Sequence, residues 1–248
     1  MKRNVKRIIL ALILLSAVIL AVNIPTHIQV GVSGQYRIIR MPFYAKWTQF
    51  LARHYEYGRL SREITAGCRT DEEKVLAIFK WVRAHLKDVP AGMPVCDDHV
   101  LYIIIRGYAT PGQFQDVFTT LCAYAGIPAF FDRVYDESHE NRYILSFVRL
   151  SGKLRVFDAY RGIYFRTGSR EIAATDDIVR DRSIVDSKDT GTVLVNGAPY
   201  KEFFHDLSGV SEPQTIRPRK QMPLPRIVFE IKQAVGIERE ERDAGGAD

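Results

Sequence analysis

The sequence predicts an α+β protein in which helices pack on an antiparallel sheet, with one apolar helix preceding this core. Three observations predict this class. Apolar residues recur at three- and four-residue steps in two segments upstream of Gly126. After Pro128 the pattern becomes strand-like, with β-branched and aromatic runs between polar turns. Near the N-terminus, a basic segment precedes a continuous apolar run.

The apolar run covers residues 8–22 and is preceded by four basic side chains: Lys2, Arg3, Lys6 and Arg7. A positive flank of this kind keeps its own end in the cytoplasm, so the rest of the chain is expected outside it. No Ala-x-Ala cleavage site and no lipobox cysteine follow the run, which favours an uncleaved anchor over residues 1–24 rather than a cleaved signal. We therefore predict a single-pass protein of the inner (cytoplasmic) membrane with a periplasmic or other extracytoplasmic domain.

Composition and charge restrict the possible partners. The chain has 248 residues, of which 46% are hydrophobic and 26% charged, as in ordinary globular proteins. The four basic residues before the apolar run supply most of the formal net charge of +6. Because no interleaved basic and aromatic stripe occurs elsewhere, we expect no nucleic-acid partner.

The cysteines give only weak chemical signals. Cys68, Cys96 and Cys122 allow at most one disulfide, and none has C-x-x-C spacing. The run Cys-Asp-Asp-His at residues 96–99 has no second cluster to complete a metal site. We therefore expect no metal and no cofactor.

The segment between the apolar run and residue 87 is predicted to be a connector followed by two helical stretches. Residues 25–45 are predicted to be an extended connector, followed by a helical stretch over residues 46–65. Thr70 and Glu73 form a capping box that opens a helix reaching about Lys87.

The helix between Pro111 and Gly126 has sequence signals at both of its ends. Thr110 can cap it, Pro111 suits its first position, and Gln113 can close a capping box. Gly126 followed by Ile127-Pro128 ends it.

The remaining sequence predicts strands and then a C-terminal extension. Residues 129–136, 142–150 and 154–165 are predicted to form an antiparallel meander. One short helix over residues 171–183 and a hairpin turning at Asn196-Gly197 are expected next. Beyond residue 212 the sequence is rich in Pro and Arg, which predicts an extended arm with a brief helix and a disordered end. The predicted divisions are 1–24 (anchor), 25–69 (connector and helical region), 70–166 (core), 167–212 (extension) and 213–248 (arm and tail).

The order of these elements over residues 70–166 resembles the transglutaminase-like superfamily of papain-like thiol enzymes, and within it a bacterial branch associated with cell-surface polysaccharides. In that family the core helix opens with a pattern such as G-Y-G-x-C-D-Q and closes with G-I-P-A. A strand bearing a histidine and a G-K-W-x-x-x-D strand follow. This chain has "GYATPGQ", "GIPA" and "GKLRVFD" at the corresponding places. The resemblance implies a thiolate at the helix N-terminus, paired with a histidine that an aspartate orients.

The triad is degenerate when the family pattern is carried onto this chain. Counting back from Gly126 places the cysteine position at Pro111. Counting from Gly152 places the histidine at Tyr143 and the aspartate at Asp158. The resemblance therefore implies a domain without catalytic activity, with Thr110, Gln113, Tyr143 and Asp158 as candidate ligand-binding residues at the remnant site.

Two functions follow as hypotheses. The first is a catalytically inactive binding or scaffold module in cell-envelope or exopolysaccharide biogenesis, with an envelope protein or a polysaccharide as ligand. The alternative is a thiol-dependent hydrolase or acyltransferase with a relocated nucleophile, Cys96 or Cys122, working with His99 or His139. Cys122 lies eleven residues beyond Pro111 on the same predicted helix, which is about 16 Å by helix rise, so it cannot reach the original site.

Overall fold

A computed structural model describes residues 2–32, 35–93, 99–186, 193–213 and 216–234. Eight α-helices and two 3₁₀ helices occur within these ranges. The α-helices are α1 Lys2–Val22, α2 Phe43–Ile64, α3 Asp71–His85, α4 Val100–Arg106, α5 Pro111–Tyr124, α6 Thr175–Arg180, α7 Ser183–Asp186 and α8 Pro223–Ala234. The 3₁₀ helices are Tyr200–Phe204 and Arg217–Gln221.

Ten strands are present in the same ranges. They are β1 Pro25–Val32, β2 Gln35–Pro42, β3 Lys87–Asp88, β4 Tyr108–Ala109, β5 Ala129–Tyr135, β6 Arg142–Leu150, β7 Lys153–Asp158, β8 Ile163–Tyr164, β9 Leu194–Val195 and β10 Ala198–Pro199. The central sheet is antiparallel with strand order β5-β6-β7-β8. The predicted α+β class and the predicted meander are therefore confirmed.

The central sheet separates two hydrophobic clusters because successive side chains of a strand point to opposite faces. Val148 and Phe157 pack in the first cluster with helices α2 to α5. Phe147 and Val156, which pair with each other across β6 and β7, pack in the second cluster with the C-terminal extension. The extension thus covers the sheet face opposite α5.

Both predicted helix caps define the core helices. Thr70 and Glu73 form the capping box of α3, with the Glu73 backbone N–H donating to Thr70 Oγ1 at 3.2 Å. Helix α5 begins at Pro111 and ends at Tyr124, and Gly126 beyond it has a left-handed φ of 84°. Because β-carbons crowd the backbone at positive φ, Gly126 suits this exit.

The N-terminal connector differs from the prediction. It is a two-stranded antiparallel hairpin, β1 paired with β2, rather than an extended link. Helix α2 then begins at Phe43, slightly before the predicted start. Alternating Ile28, Val30 and Val32 followed by a second β-prone run favour a hairpin, which the prediction overlooked.

The C-terminal segments also differ in part. Helices α6 and α7 replace the single helix predicted over residues 171–183, whereas β9 and β10 form the predicted hairpin with positive φ at Asn196 and Gly197. Residues 216–234 contain the brief helix that the sequence predicts, which is α8, but a 3₁₀ helix precedes it where an extended arm was expected.

Buried apolar side chains and an ion pair attach this C-terminal segment to the body of the protein. Ile216 and Phe229 are buried, and Arg217 Nη2 lies 3.0 Å from Asp116 Oδ2 of α5. The burial of these side chains explains why a Pro- and Arg-rich segment does not remain extended. The end predicted to be disordered, residues 241–248, lies outside the described residues, and the predicted division into domains stays a prediction.

Helix α1 is unlike the other helices because it is exposed along its apolar length. Residues Asn4–Val22 have a mean hydropathy of 2.5, and none of the span is buried in the protein. In the described part of the chain this is the one helix long and apolar enough to cross a membrane, although a signal sequence has the same properties. The structure is consistent with membrane association through this helix.

Candidate functional site

The start of α5 is held by hydrogen bonds around Gln113. Its Oε1 accepts from the Thr110 backbone N–H at 3.0 Å and from Arg106 Nη2 at 2.7 Å. Arg106 also donates through Nε to the Tyr108 carbonyl at 2.8 Å. Thr110 and Gln113 therefore fix the helix start, and Pro111 occupies the first helical turn, where its missing N–H is not needed.

Asp158, at the end of β7, lies at the centre of the candidate site. Its carboxylate is almost fully buried, with a relative exposure of 1%. Oδ2 accepts from Tyr143 Oη at 2.9 Å and from Tyr200 Oη at 2.8 Å. Oδ1 accepts from Gln115 Nε2 at 3.1 Å and from the Arg161 backbone N–H at 2.9 Å. Because a carboxylate offers about four acceptor positions, these four donors satisfy it completely.

Gln115 connects Asp158 to the core helix. Its Oε1 accepts from Ser146 Oγ at 2.7 Å and from the Ala159 backbone N–H at 3.1 Å, while its Nε2 donates to Asp158. The two donors facing Oε1 fix the orientation of the amide. The side chain is fully buried, so the α5 end of the network is closed to solvent.

Arg161 places a positive charge beside the buried carboxylate. Its Cζ lies 5.2 Å from the ring centroid of Tyr200, 5.9 Å from that of Tyr143 and 6.0 Å from that of Tyr160. A guanidinium at these distances is attracted to the ring faces. The guanidinium therefore lies beside the two rings whose hydroxyls donate to Asp158.

The two tyrosine hydroxyls are strongly held in their neutral form. Burial raises the pKa of Tyr143, and the negative charge of Asp158 and the hydrogen bond to it raise it further, against a smaller opposing effect of Arg161. The pKa of Tyr200 is also raised, first by burial and then by Asp158. Both hydroxyls therefore donate to Asp158 and cannot act as bases at neutral pH.

Tyr143 and Asp158 are hydrogen-bonded to each other, as their spacing predicts. Their connection to the helix that begins at Pro111 is indirect. Tyr143 packs in the second cluster with Tyr200, on the sheet face opposite α5. At the helix start, Ile144 Cδ1 is the near neighbour, since a β-carbon on Gly112 would lie 3.2 Å from it. Gln115, one turn beyond Pro111, connects the helix to Asp158.

The alternative nucleophiles and bases lie elsewhere. Cys122 is completely buried in α5, and this burial raises the pKa of its thiol. His139 is at the tip of the β5–β6 hairpin, where its ring centroid lies 5.9 Å from both Tyr135 and His205. His99 precedes α4, and Cys96 lies outside the described residues.

Metal binding finds no geometric support in the part of the chain that the structure describes. Within that part, no three His, Cys, Asp or Glu side chains form a group that could hold a metal ion. The run at residues 96–99 falls mostly on residues 94–98, which lie outside it. Cys68 and Cys122 are free thiols.

Residues 58–153 match the sequence profile of the transglutaminase-like superfamily. The chain carries a transglutaminase-like core. The match includes helices α3 to α5 and the strands β5 and β6. It ends before Asp158, so the profile itself does not assign a role to the buried carboxylate.

Three solved structures resemble parts of the chain. A proposed cysteine protease from Cytophaga hutchinsonii is 18% identical with a TM-score of 0.39, over 44% of this chain and 38% of its own. A proposed protease from Parabacteroides distasonis is 15% identical with a TM-score of 0.36, over 54% and 35%. A TGase is 16% identical with a TM-score of 0.36, over 70% and 54%.

This chain thus covers less than two thirds of the length of each of these three proteins. No curated protein matches it. The assignment of the transglutaminase-like core therefore concerns its fold and carries no activity with it.

The sequence did not indicate four members of the Asp158 network: Gln115, Ser146, Arg161 and Tyr200. One signal was available for Gln115, because it follows Pro111 by four residues and so lies on the same side of the helix. Tyr200 belongs to the C-terminal extension, and no spacing in the sequence places it beside the core. Arg161 contributes through its backbone N–H, which any residue except proline carries.

We predict that the two buried tyrosines make the protein sensitive to alkali. Above a pH of about 10 the unfolded chain loses their protons while the folded chain keeps them, so the free energy of unfolding falls as pH rises. Each tyrosine contributes a slope of about 1.4 kcal/mol per pH unit. Urea unfolding from pH 8 to 11 should give a shallower decline for Tyr143→Phe/Tyr200→Phe than for wild type. The exposed-site control Tyr55→Phe should keep the wild-type slope, and equal slopes in all three proteins would contradict the prediction.

Proposed function

We propose that this chain is a catalytically inactive transglutaminase-like domain that is anchored in the inner membrane and acts as a binding or scaffold module on its extracytoplasmic side. The single observation that supports inactivity best is the state of Asp158. In a thiol enzyme this carboxylate would orient a histidine, whereas here both of its oxygens are occupied by tyrosine, glutamine and backbone donors.

The chemistry at the other two triad positions supports the same proposal. Pro111 offers no thiol, hydroxyl or amine at the helix start. Tyr143 holds its proton tightly because burial and Asp158 raise its pKa. Acyl transfer by this family's route needs both a thiolate and a proton acceptor beside it, so the loss of two members supports a binding role over a catalytic one.

The membrane part of the proposal rests on α1 and its flanks. The helix is unburied over Asn4–Val22 and apolar over residues 8–22, and the four basic side chains lie in its N-terminal part. This arrangement favours a cytoplasmic N-terminus and an extracytoplasmic core. A periplasmic location and a role in envelope or exopolysaccharide biogenesis follow from the family resemblance, with an envelope protein or a polysaccharide as the expected ligand.

A relocated thiol site is the competing function. Complete burial and a raised thiol pKa argue against Cys122. Cys96 working with His99 or His139 is the combination that remains. If the chain were a hydrolase of this kind, Cys96→Ser would abolish its amidase activity, whereas our proposal expects no such activity in wild type.

The proposal of a degenerate triad is tested by introducing a cysteine at residue 111, where the family pattern has its nucleophile. In Pro111→Cys, on a background of Cys68→Ser and Cys96→Ser, the new sulfur would lie in the first turn of α5, where the helix dipole favours thiolate. We expect its pKa to fall below about 8.5, the value of a free cysteine, and to fall further when Tyr143→His is added. The measurement is the pH dependence of alkylation.

The matched control for this test is Lys153→Cys, which places a thiol at an exposed sheet turn in the same background. Its alkylation should titrate like a free cysteine. If Pro111→Cys titrates like this control both with and without Tyr143→His, residue 111 does not correspond to the family's nucleophile position, and the proposal of a degenerate triad fails.

Membrane attachment gives a separate prediction. Because α1 is apolar over residues 8–22 and no Ala-x-Ala cleavage site follows it, the full chain should stay in the membrane pellet after alkaline carbonate extraction. Release of a soluble product that begins near residue 24 would show instead that the segment is a cleaved signal. Mass measurement of the released or retained chain distinguishes the two results.

A further inference from the structure

Helix α8 has an apolar face that points away from the protein. Leu224, Ile227, Val228 and Ile231 are 76%, 41%, 52% and 59% exposed. Their spacing of three, four and seven residues places them on one side of the helix, and we call this set the α8 stripe. Contiguous exposed apolar surface of this kind marks a surface that binds another apolar phase.

The orientation of α8 is set by its opposite side. Phe229 is buried, and Lys220 Nζ and Arg226 Cζ lie 4.2 Å and 5.7 Å from the centroid of its ring. Just before α8, the Gln221 carbonyl accepts from Tyr124 Oη of α5 at 2.8 Å. These contacts attach the helix to the protein and leave the α8 stripe facing outward.

The charges around α8 favour a negatively charged surface. Residues 216–234 contain one acidic residue, Glu230, and five basic residues: Arg217, Arg219, Lys220, Arg226 and Lys232. Arg217 pairs with Asp116; Arg219 and Lys220 lie just before α8, and Arg226 and Lys232 lie within it. A second copy of the chain docked through the same face would bring these like charges together, so the charge pattern disfavours self-association.

The position of α8 relative to the membrane helix supports a lipid surface. The Phe43 N–H donates to the Ile24 carbonyl at 2.9 Å, so α2 begins where α1 ends. His54 lies eleven residues farther along α2, about 16 Å by helix rise. Its Nδ1 is 2.8 Å from Tyr124 Oη, the same hydroxyl that donates to Gln221 before α8.

The first turn of α2 has side chains suited to the membrane interface. Phe43 and Tyr44 are exposed there, and Trp47 lies with its ring centroid 6.0 Å from that of Phe43. Aromatic side chains concentrate at the boundary between lipid and water. The α8 stripe is therefore connected through α2 to a segment that leaves the membrane among aromatic residues.

We propose that α8 lies in the headgroup region of an anionic phospholipid bilayer, with the α8 stripe toward the acyl chains and its basic residues toward the phosphates. A basic amphipathic helix of this composition is typical of attachment in the plane of a membrane surface. The proposal rests on the membrane attachment through α1 in the proposed function. It adds a second contact, which would hold the transglutaminase-like core at a fixed orientation on the bilayer.

The test places a fluorophore on the α8 stripe in the full chain. Val228→Cys, in a Cys68→Ser/Cys96→Ser background, is labelled with the polarity-sensitive dye NBD and reconstituted in nanodiscs of phosphatidylcholine and phosphatidylglycerol. We expect shallow spin-labelled lipids to quench about half of the emission or more, and we expect protection from aqueous iodide. The matched control, Lys153→Cys with the same label, should show iodide quenching and no lipid quenching.

A second variant separates this proposal from membrane anchoring. Adding Ile227→Ser and Ile231→Ser should abolish lipid quenching at residue 228 while the chain still pellets after carbonate extraction, since α1 is unchanged. Iodide access at residue 228 equal to that at residue 153 would overturn the proposal. Protection from iodide without lipid quenching would also overturn it, by showing that protein covers the stripe. Equal lipid quenching in discs of phosphatidylcholine alone would overturn the preference for anionic lipid.

Discussion

The buried carboxylate of Asp158 is the point at which four segments of the chain meet. Helix α5 reaches it through Gln115, strand β6 through Tyr143, the C-terminal extension through Tyr200, and the turn after β7 through the Arg161 N–H. An unpaired charge at this depth would be strongly destabilising, so each of these donors is needed. Two residues of the second cluster, Tyr143 and Tyr200, share this one acceptor.

The same hydrogen bonds are the main argument for the proposed absence of catalytic activity. A carboxylate that orients a catalytic imidazole must keep one oxygen for it. In this chain that oxygen receives two phenol hydroxyls, and Arg161 lies over the rings that supply them. Under the proposed function, Asp158 joins layers of the fold where a catalytic relative would orient a base, and this is the physical argument for the proposed binding or scaffold role.

Local signals made much of the fold predictable. Some residues specify a local backbone geometry by themselves. Thr70 caps α3, Pro111 and Gly126 mark the start and the exit of α5, and Asn196 forms a turn. The N-terminal hairpin has a local signal in its alternating residues, whereas the packing of α8 is fixed by long-range contacts such as that of Gln221 with Tyr124. Sequence periodicity carries no information about partners so far apart in the chain.

The candidate site was predictable only along one strand pair. The count from Gly152 placed Tyr143 and Asp158 together because their separation is set by a short sheet turn. The contributions of Gln115 and Tyr200 depend on how the helix and the C-terminal extension pack on the two faces of the sheet. Such packing is decided by tertiary contacts, which no local pattern encodes.

The most direct measurement of this account is the free energy of unfolding of Asp158→Asn. If Asp158 joins the layers of the fold, removing its charge should weaken bonds to all four donors and lower stability by about 2–4 kcal/mol. The exposed-site control Asp176→Asn should stay within about 0.5 kcal/mol of wild type. An Asp158→Asn protein as stable as wild type, or more stable, would contradict the account. Replacing a catalytic carboxylate often leaves stability unchanged or raises it, whereas replacing a structural carboxylate lowers it.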